Sequence, residues 1–271
     1  MSGPTIVLIT GANTGIGYQT ALQLLLSHNE TYKIFVGARS IEKSQQAIKQ
    51  LRQEATQTKS ELEPLVVDLE DDESIKRAYE EVDRKVEKLD VLVNNAGVLL
   101  DSQAKTQNLS TRQLFLQTFN TNVFGVQVLT ETFIPLLLKS TSPRLLFLGT
   151  SMSSLTVSEN PNPYFNHSPP AGWPKENSDF WAYKSSKLAL MMIMRDWSKN
   201  LKNDNVKVWG INPGLVATNL GGSKEFLKSI GAGDPAVSGR LIRDVIEGER
   251  DGYVGKLIAT EDDYFGSVVP W

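Results

Sequence analysis

Residues 5–17 read Thr-Ile-Val-Leu-Ile-Thr-Gly-Ala-Asn-Thr-Gly-Ile-Gly, an apolar run that leads directly into a glycine-rich turn. The β-branched run favours a strand over 5–10, and a helix is predicted from about residue 16 to 27. Glycine permits positive φ and close backbone approach, while a helix N-terminus offers unpaired N–H groups. The turn therefore predicts dinucleotide binding, although an ordinary tight connection has the same local pattern. The residues assigned to the phosphates are Gly11, Asn13, Thr14, Gly15, Ile16 and Gly17.

Short apolar runs alternate with longer helical patterns along the rest of the chain. Further strands are predicted over 33–38, 64–67, 90–93, 144–148 and 206–211, and helices over 41–56, 74–86, 111–139 and 181–201. Such alternation indicates a parallel sheet covered on both faces. We therefore predict an α/β fold with a single Rossmann-type doubly wound parallel sheet of about seven strands, in one domain over residues 1–271. Pro135 is expected to kink or end the long helical region.

Composition excludes several classes of site and partner. The 271 residues contain no Cys and two His, which excludes disulfides, thiolate nucleophiles and Cys-containing or histidine-rich metal sites. The 28 basic and 31 acidic side chains form no long basic block, so neither nucleic acid nor a membrane surface is an expected partner. Apolar stretches fall short of the about 20 residues that span a membrane, and no signal peptide is recognised. The expected location is cytoplasmic.

The end of the second predicted strand indicates which nicotinamide cofactor binds. This stretch reads Gly37-Ala38-Arg39-Ser40. An NAD site places an acidic residue here to bond the ribose 2′-hydroxyl, and Ala38 cannot do so. Arg39 offers charge-assisted hydrogen bonds to a 2′-phosphate, so NADP(H) is predicted. The alternative is that Arg39 is a solvated residue at a helix start.

Six short motifs occur in order, each at the edge of a predicted strand or helix. They are Thr10 to Gly17, Asp68-Leu69, Asn94-Asn95-Ala96-Gly97, Asn122-Val-Phe-Gly125, Tyr183-Lys-Ser-Ser-Lys187 and Asn212-Pro-Gly214. Together they resemble the short-chain dehydrogenase/reductase family over nearly the whole chain. The resemblance implies a nicotinamide-dependent oxidoreductase.

The resemblance implies that Tyr183 and Lys187 are the catalytic pair. Four positions apart on a helix, they lie on one face. The pKa of tyrosine is about 10 and a nearby ammonium favours phenolate, so we expect Lys187 to lower the pKa of Tyr183. Tyr183 would protonate a carbonyl oxygen while NADPH delivers hydride to the carbon. By the same resemblance, Lys187 holds the nicotinamide ribose and Asn122, at a break in the helical region, relays protons through water to Lys187.

The family's catalytic serine follows the fifth strand. Counted from Arg144, that position holds Thr150 in this chain. A threonine hydroxyl donates and accepts as serine does, so Thr150 is the first choice. Ser151 and Ser153 are alternatives, because a slip of one residue at a strand end exchanges them. Most hydroxyls in such a turn bond their own backbone.

Further cofactor contacts rest on the resemblance alone. They are Asp68 for the adenine amino group, Asn95 for the adenosine ribose, Gly97 in the same motif, and Val216 and Thr218 for the carboxamide and phosphates. Residues 215–233 are expected to close as a substrate lid, with hinges at Gly221, Gly222 and 231–233.

An insertion at about 155–180 separates the fifth strand from the tyrosine helix, and five of the 12 prolines fall within 158–174. A connection of this length is uncommon in a compact domain. It is similar to the carbonyl-reductase-like branch of the family, where it lies across the helices used for dimerisation, so a monomer is predicted. The nearby aromatic residues either wall an apolar substrate pocket or anchor the loop; they are Tyr164, Phe165, Trp173 and Trp181.

These observations predict an NADPH-dependent enzyme that interconverts a carbonyl and an alcohol on an apolar or aromatic small molecule. One alternative is reduction of a conjugated C=C bond. Another is a cofactor-binding sensor without turnover. The presence of Tyr183, Lys187 and Asn122 together argues against the sensor.

Overall fold

The computed structural model describes residues 3–104, 106–173, 175, 180–220, 222–261 and 263–271. Within these ranges one sheet contains eight strands, in the spatial order β3-β2-β1-β4-β5-β6-β7-β8. They are β1 (Thr5–Ile9), β2 (Tyr32–Ala38), β3 (Glu61–Val66), β4 (Val91–Asn94), β5 (Arg144–Leu148), β6 (Lys207–Ile211), β7 (Leu257–Ile258) and β8 (Val268–Val269). All neighbouring strands pair in parallel except β7 and β8, which are antiparallel. The predicted α/β fold with a doubly wound sheet is confirmed, with an eighth strand of two residues at one edge.

Helices cover both faces of the sheet. They are α1 (Gly15–Leu25), α2 (Ile41–Glu54), α3 (Asp72–Lys85), α4 (Thr111–Phe119), α5 (Val126–Leu137), α6 (Leu155–Glu159), α7 (Trp181–Asn200), α8 (Lys224–Ser229) and α9 (Pro235–Ile246). Polar side chains begin several of them: Ser40 caps α2, Asp71 caps α3 and Ser110 caps α4. No helix in the described part of the chain is long and apolar enough to cross a membrane.

The core has two layers, one on each side of the sheet. Leu8 packs into the layer that contains α3, α5 and α7, while its neighbours Val7 and Ile9 pack into the layer that contains α1, α2 and α9. Successive strand residues point to opposite faces, so a strand buried on both sides needs apolar residues at every position. This requirement explains the continuous apolar run of β1.

The predicted helical region over 111–139 is interrupted. Residues Asn120–Gly125 form a π-helical turn between α4 and α5, and α5 ends two residues after Pro135. At Gly125 the helix touches the loop after β3 so closely that a Cβ atom would lie 1.9 Å from the carbonyl oxygen of Leu69. Only glycine permits this contact. The break in the helix lies where it was expected, at Asn122.

One strand boundary differs from its prediction by more than one residue. β3 begins at Glu61, whereas only 64–67 was predicted to be a strand. β3 lies at the sheet edge, where exposed Glu61 and partly buried Glu63 are tolerated. Apolar patterning therefore detected only its second half.

Candidate active site

A cleft of about 550 Å³ lies at the carboxyl ends of the parallel strands. Its walls include Gly11 after β1, Arg39 after β2, Asn95 after β4 and Gly149 after β5. The sheet order reverses between β1 and β4, and doubly wound sheets bind ligands at such a switch point. The predicted site residues that line the cleft are Gly11, Asn13, Thr14, Gly15, Ile16, Arg39, Asp68, Asn95, Gly97, Tyr183, Lys187 and Thr218.

The turn after β1 has the geometry of an anion-binding loop. Gly11 and Gly15 have φ of +64° and +59°, values that side-chain-bearing residues rarely adopt. Gly17 lies behind the turn, where a Cβ atom would lie 2.5 Å from Asn95 Nδ2. The N-cap Thr14 makes no side-chain cap hydrogen bond, and the first turn of α1 carries no acidic residue. Its first N–H groups therefore suit the phosphates of a dinucleotide.

Asn95 supports this turn. Its Nδ2 donates to the carbonyl oxygen of Thr10 at 2.7 Å, and Thr10 Oγ1 accepts from the backbone N–H groups of Asn95 and Ala96 at 3.1 and 3.0 Å. These bonds join the exits of β1 and β4. The side-chain amide predicted to contact a ribose therefore also holds the phosphate-binding loop in shape.

Two cations lie at the end of β2. Arg39 and Lys43 both line the cleft, and Ser40 between them caps α2 by accepting from the Lys43 N–H at 3.4 Å. Sequence reasoning missed Lys43. Its place in the first turn of α2, directly after the strand end that carries Arg39, would have identified it.

Asn122 is fully buried in the π-helical turn. Its Oδ1 accepts from the Val98 N–H at 2.8 Å, and its Nδ2 donates to the Val98 carbonyl at 2.9 Å and to Ser186 Oγ at 3.0 Å. Its side chain thus ties the loop after β4 to α7. Gly97 leaves room for the contact, since a Cβ atom there would lie 3.0 Å from Asn122 Oδ1 and 3.4 Å from Lys187 Nζ.

Tyr183 and Lys187 are both buried on α7 and face the cleft. Lys187 Nζ donates to the Leu148 carbonyl at 2.7 Å and lies 5.9 Å from the centroid of the Tyr183 ring. Burial raises the pKa of Tyr183 to about 12 and lowers the pKa of Lys187 to about 8. The expected lowering of the Tyr183 pKa is therefore wrong for the protein chain alone, because burial desolvates the phenolate.

The hydroxyl-rich turn after β5 lies beside the cleft. Thr150 Oγ1 accepts from the Met152 N–H at 3.3 Å, which leaves its own proton available. Ser153 Oγ donates to the Thr150 carbonyl at 2.7 Å, as expected for a hydroxyl that bonds its own backbone. As bounded by the described residues, the cleft reaches Leu148 and Gly149 but not Thr150, Ser151 or Ser153.

The segment after β6 contributes Thr218 to the cleft but not Val216. Val216 instead forms an isolated bridge with Gly233, where the Ala217 N–H donates to the Gly233 carbonyl at 2.9 Å. Between these residues lies α8. Gly222 and Gly231, with φ of +136° and +90°, flank it, while Gly221 lies outside the described residues.

Phe165, Trp173 and Trp181 are not among the described residues that line the cleft, so the first of the two alternatives for the aromatic residues, a wall of the substrate pocket, is not observed for these three. Phe165 packs against the core, and its carbonyl accepts from Lys184 Nζ at 2.8 Å. Trp173 is 78% exposed and Trp181 45% exposed, while the Tyr164 side chain lies outside the described structure. Phe165 thus fits the anchoring alternative. The apolar lining that the sequence did not reveal includes Leu99, Leu100, Leu148 and Leu220.

A larger groove, of about 1040 Å³, lies at the opposite, amino-terminal edge of the sheet. Its buried carboxylate, Asp90, accepts from the Ile6 N–H at 2.9 Å and from Lys88 Nζ at 2.6 Å. This carboxylate therefore ties the segment before β4 to β1. Within the described ranges no group of three His, Cys, Asp or Glu side chains could hold a metal ion.

Comparison with known proteins identifies the family. The family model described as short chain dehydrogenase matches residues 5–164 and 171–226. The chain is 40% identical to the short-chain dehydrogenase/reductase tropE of Talaromyces stipitatus, over 97% of this chain and 98% of that protein. It is 41% identical to the short-chain dehydrogenase/reductase eupG of a Phoma species, over 92% and 93% of the two chains.

A solved structure shows the same fold. The NADPH-bound carbonyl reductase from chicken fatty liver superimposes with a TM-score of 0.77 over 100% of both chains, at 22% identity. At this identity the likeness concerns the fold alone. Family membership rests on the family model and on the two relatives, which match along nearly their whole length. They show that this chain is an oxidoreductase of the short-chain dehydrogenase/reductase family.

Proposed function

We propose that the protein is an NADPH-dependent reductase that interconverts a carbonyl and an alcohol on an uncharged, apolar small molecule, with Tyr183 as the proton donor. One observation carries the proposal: the glycine turn, the cations after β2 and the buried Tyr183–Lys187 pair all line the same cleft of about 550 Å³. A phosphate site and a proton donor in one cleft are what hydride transfer to a carbonyl requires.

NADP(H) fits the residues that would hold it. The N–H groups at the start of α1 would bind the pyrophosphate, and Arg39 with Lys43 would bind the 2′-phosphate, since two cations at this position favour an additional dianion. When bound, the cofactor supplies the hydride for the carbonyl carbon. We further propose Asp68, Asn95, Gly97 and Thr218 as its other contacts, on the basis of their positions in the cleft.

The protonation states of the two buried side chains suit reduction. With a pKa of about 12, Tyr183 carries its proton throughout the neutral range and can donate it to the carbonyl oxygen. Lys187, with a pKa of about 8, is mostly charged at pH 7 and stabilises the phenolate that the transfer leaves. The substrate carbon gains a hydride and its oxygen gains the proton, so the product is an alcohol.

The apolar part of the cleft lining supports an uncharged substrate. Leu99, Leu100, Leu148 and Leu220 supply apolar surface, and Gln103 a neutral polar group. A pocket of this kind binds apolar molecules and orients them with few polar contacts.

The test is product identification. The purified protein is incubated with NADPH and a panel of apolar ketones, aldehydes and enones, and products are identified by mass spectrometry. We expect alcohols from carbonyl substrates, and Tyr183→Phe should lower kcat by at least about 100-fold while NADPH binding, followed by fluorescence, is retained. Saturated ketones from the enones would favour C=C reduction. NADPH binding without any product would favour the sensor.

A further inference from the structure

The first turn of the catalytic helix is capped by a residue from elsewhere in the chain. Asp101 begins a short 3₁₀ turn, Asp101–Gln103, which follows the cleft-lining residues Leu99 and Leu100. Its carboxylate is buried. Oδ1 accepts from the Ala182 N–H at 2.9 Å, and Oδ2 accepts from the Tyr183 N–H at 3.1 Å. Each oxygen thus accepts from one backbone N–H group in the first turn of α7, which carries Tyr183.

Among the described residues next to it in the chain, helix α7 has no side-chain cap of its own. Its N-cap residue, Phe180, has φ of +54°, makes no side-chain cap hydrogen bond, and is followed by a first turn without an acidic side chain. The first N–H groups of a helix have no partner within the helix, and a negative charge near them is favourable. Asp101 supplies both the acceptors and the charge from 82 positions before Tyr183.

The Tyr183 backbone is held on both sides. Its N–H donates to Asp101, and its carbonyl accepts from Ser186 Oγ at 2.8 Å. Ser186 Oγ in turn accepts from Asn122 Nδ2 at 3.0 Å. The phenol therefore extends from a peptide that the β4 loop fixes at one end and the π-helical turn fixes at the other.

We propose that Asp101 is a positioning residue for the reaction: it holds the first turn of α7 so that the Tyr183 phenol keeps its place beside Lys187 in the cleft. The inference rests on the proposed role of Tyr183 as proton donor. Asp101 touches neither substrate nor cofactor in this scheme. It acts through the backbone of Tyr183, and its loop continues into the wall formed by Leu99 and Leu100.

The experiment compares Asp101→Ala and Asp101→Asn with Met192→Gly. Met192 lies on α7 with its side chain 64% exposed, so its replacement weakens the same helix without touching the first turn. Asp101→Ala should lower kcat for carbonyl reduction on the order of 10–100-fold, with the KM for NADPH changed less than about twofold. Asp101→Asn keeps one oxygen acceptor and should recover part of the rate.

Amide hydrogen exchange provides a readout that does not depend on activity. Exchange at Ala182 and Tyr183 should accelerate in Asp101→Ala, less in Asp101→Asn, and not in Met192→Gly when rates are compared at equal global stability. If Asp101→Ala does not fold, Asp101→Asn is compared with Met192→Gly instead, and a smaller effect is expected. Unchanged kcat in both Asp101 variants, or a kcat loss equal to that of Met192→Gly at matched stability, overturns the inference.

Tyr183→Phe separates this inference from the proposed function. If Tyr183→Phe retains full activity, the proposed proton donor is wrong, whatever the Asp101 variants do. If Tyr183→Phe is inactive while both Asp101 variants keep the wild-type kcat, only the positioning role fails.

Discussion

Thr150, in the turn after β5, is the first choice for the hydroxyl that would donate to the substrate oxygen. We propose that its hydroxyl donates to the substrate oxygen, because its Oγ1 accepts from the Met152 N–H and keeps its own proton, whereas the Ser153 hydroxyl already donates to the Thr150 carbonyl. Thr150→Ala should therefore lower kcat by about 100-fold, as for removal of one donor to a developing oxyanion. Thr150→Ser should restore most of the rate.

The matched controls are Ser153→Ala and Ser154→Ala. Ser154 Oγ caps α6 by accepting from the Val157 N–H at 3.0 Å, which is a purely local bond. Both variants should stay within a few-fold of the wild-type kcat in steady-state assays. A large loss confined to Ser151→Ala would assign the donor role to Ser151 instead.

Arg39 determines the predicted cofactor preference. Loss of a charge-assisted contact to the 2′-phosphate costs about 2 kcal/mol, so Arg39→Ala should weaken NADPH binding about 30-fold and leave NADH binding nearly unchanged. Fluorescence titration with each nucleotide measures the two affinities. Arg52→Ala, an exposed cation at the other end of α2, is the control and should change neither. Equal losses for NADPH and NADH would reject the 2′-phosphate contact.

Lys187 makes the stability of the protein depend on pH. Burial lowers its pKa from 10.5 to about 8, so between these values the folded chain binds fewer protons than the unfolded chain and the unfolding free energy increases with pH. From pH 7 to about pH 9.5 the gain is about 2 kcal/mol. Lys187→Met lacks this group, so its stability relative to wild type should decrease by about 2 kcal/mol over the same interval.

Urea unfolding of both proteins at the two pH values measures this difference. Above about pH 10 the raised pKa of Tyr183 acts in the opposite direction, because the folded chain then retains a proton that the unfolded chain loses. The comparison therefore stops below that pH. A stability difference that does not change with pH would contradict the buried, titrating ammonium.

The π-helical turn is the element that brings Asn122 to α7. A Cβ atom at Gly125 would lie 1.9 Å from the carbonyl oxygen and 2.7 Å from the carbonyl carbon of Leu69, both backbone atoms that cannot rotate away. Gly125→Ala should therefore destabilise the protein by about 3 kcal/mol, as overpacking does. Urea unfolding checks this value. Gly252→Ala, where an added Cβ meets nothing within 4 Å, is the control and should be nearly neutral. Equal stability of the two variants would contradict the close contact.

At the level of elements, periodicity predicted most of the long strands and helices, and it missed the shortest strands and the 12-residue helix α9. β7 and β8 contain two residues each, too few to show any alternation, and are held by pairing with β6 and with each other. α9 begins at Asp234–Pro235, an N-cap and first-turn proline of the kind that often starts a helix. The π-helical turn has the composition of an ordinary helix, so composition does not reveal it. The hydrogen-bond register of the helix changes at this turn, where Gly125 meets the loop after β3.

For the whole molecule, the insertion over 155–180 predicts a monomer. Phe165 anchors part of it to the first turn of α7 through Lys184, which agrees with the expectation, drawn from the family resemblance, that the insertion lies against a helix otherwise free to dimerise. Light scattering after gel filtration should give a mass near 30.0 kDa that does not change with concentration. A mass that doubles with concentration would contradict the prediction. In that case the exposed apolar side chains of α7, Leu188 and Met192, are the residues to replace.

The sequence by itself was sufficient to predict features that lie within one short segment of the chain. The glycines of 11–17 shape a turn, Arg39 carries a fixed charge at a strand end, and Tyr183 and Lys187 share a helix face through their spacing, so all three could be read from the chain. Contacts between distant segments could not be read in this way. Asp101 reaches Tyr183 across 82 positions, and Asn122 bonds Ser186 across 64, because the sheet order places their loops side by side. The pKa of Tyr183 likewise depends on burial, which sets the desolvation of the phenolate and exists only in the folded chain.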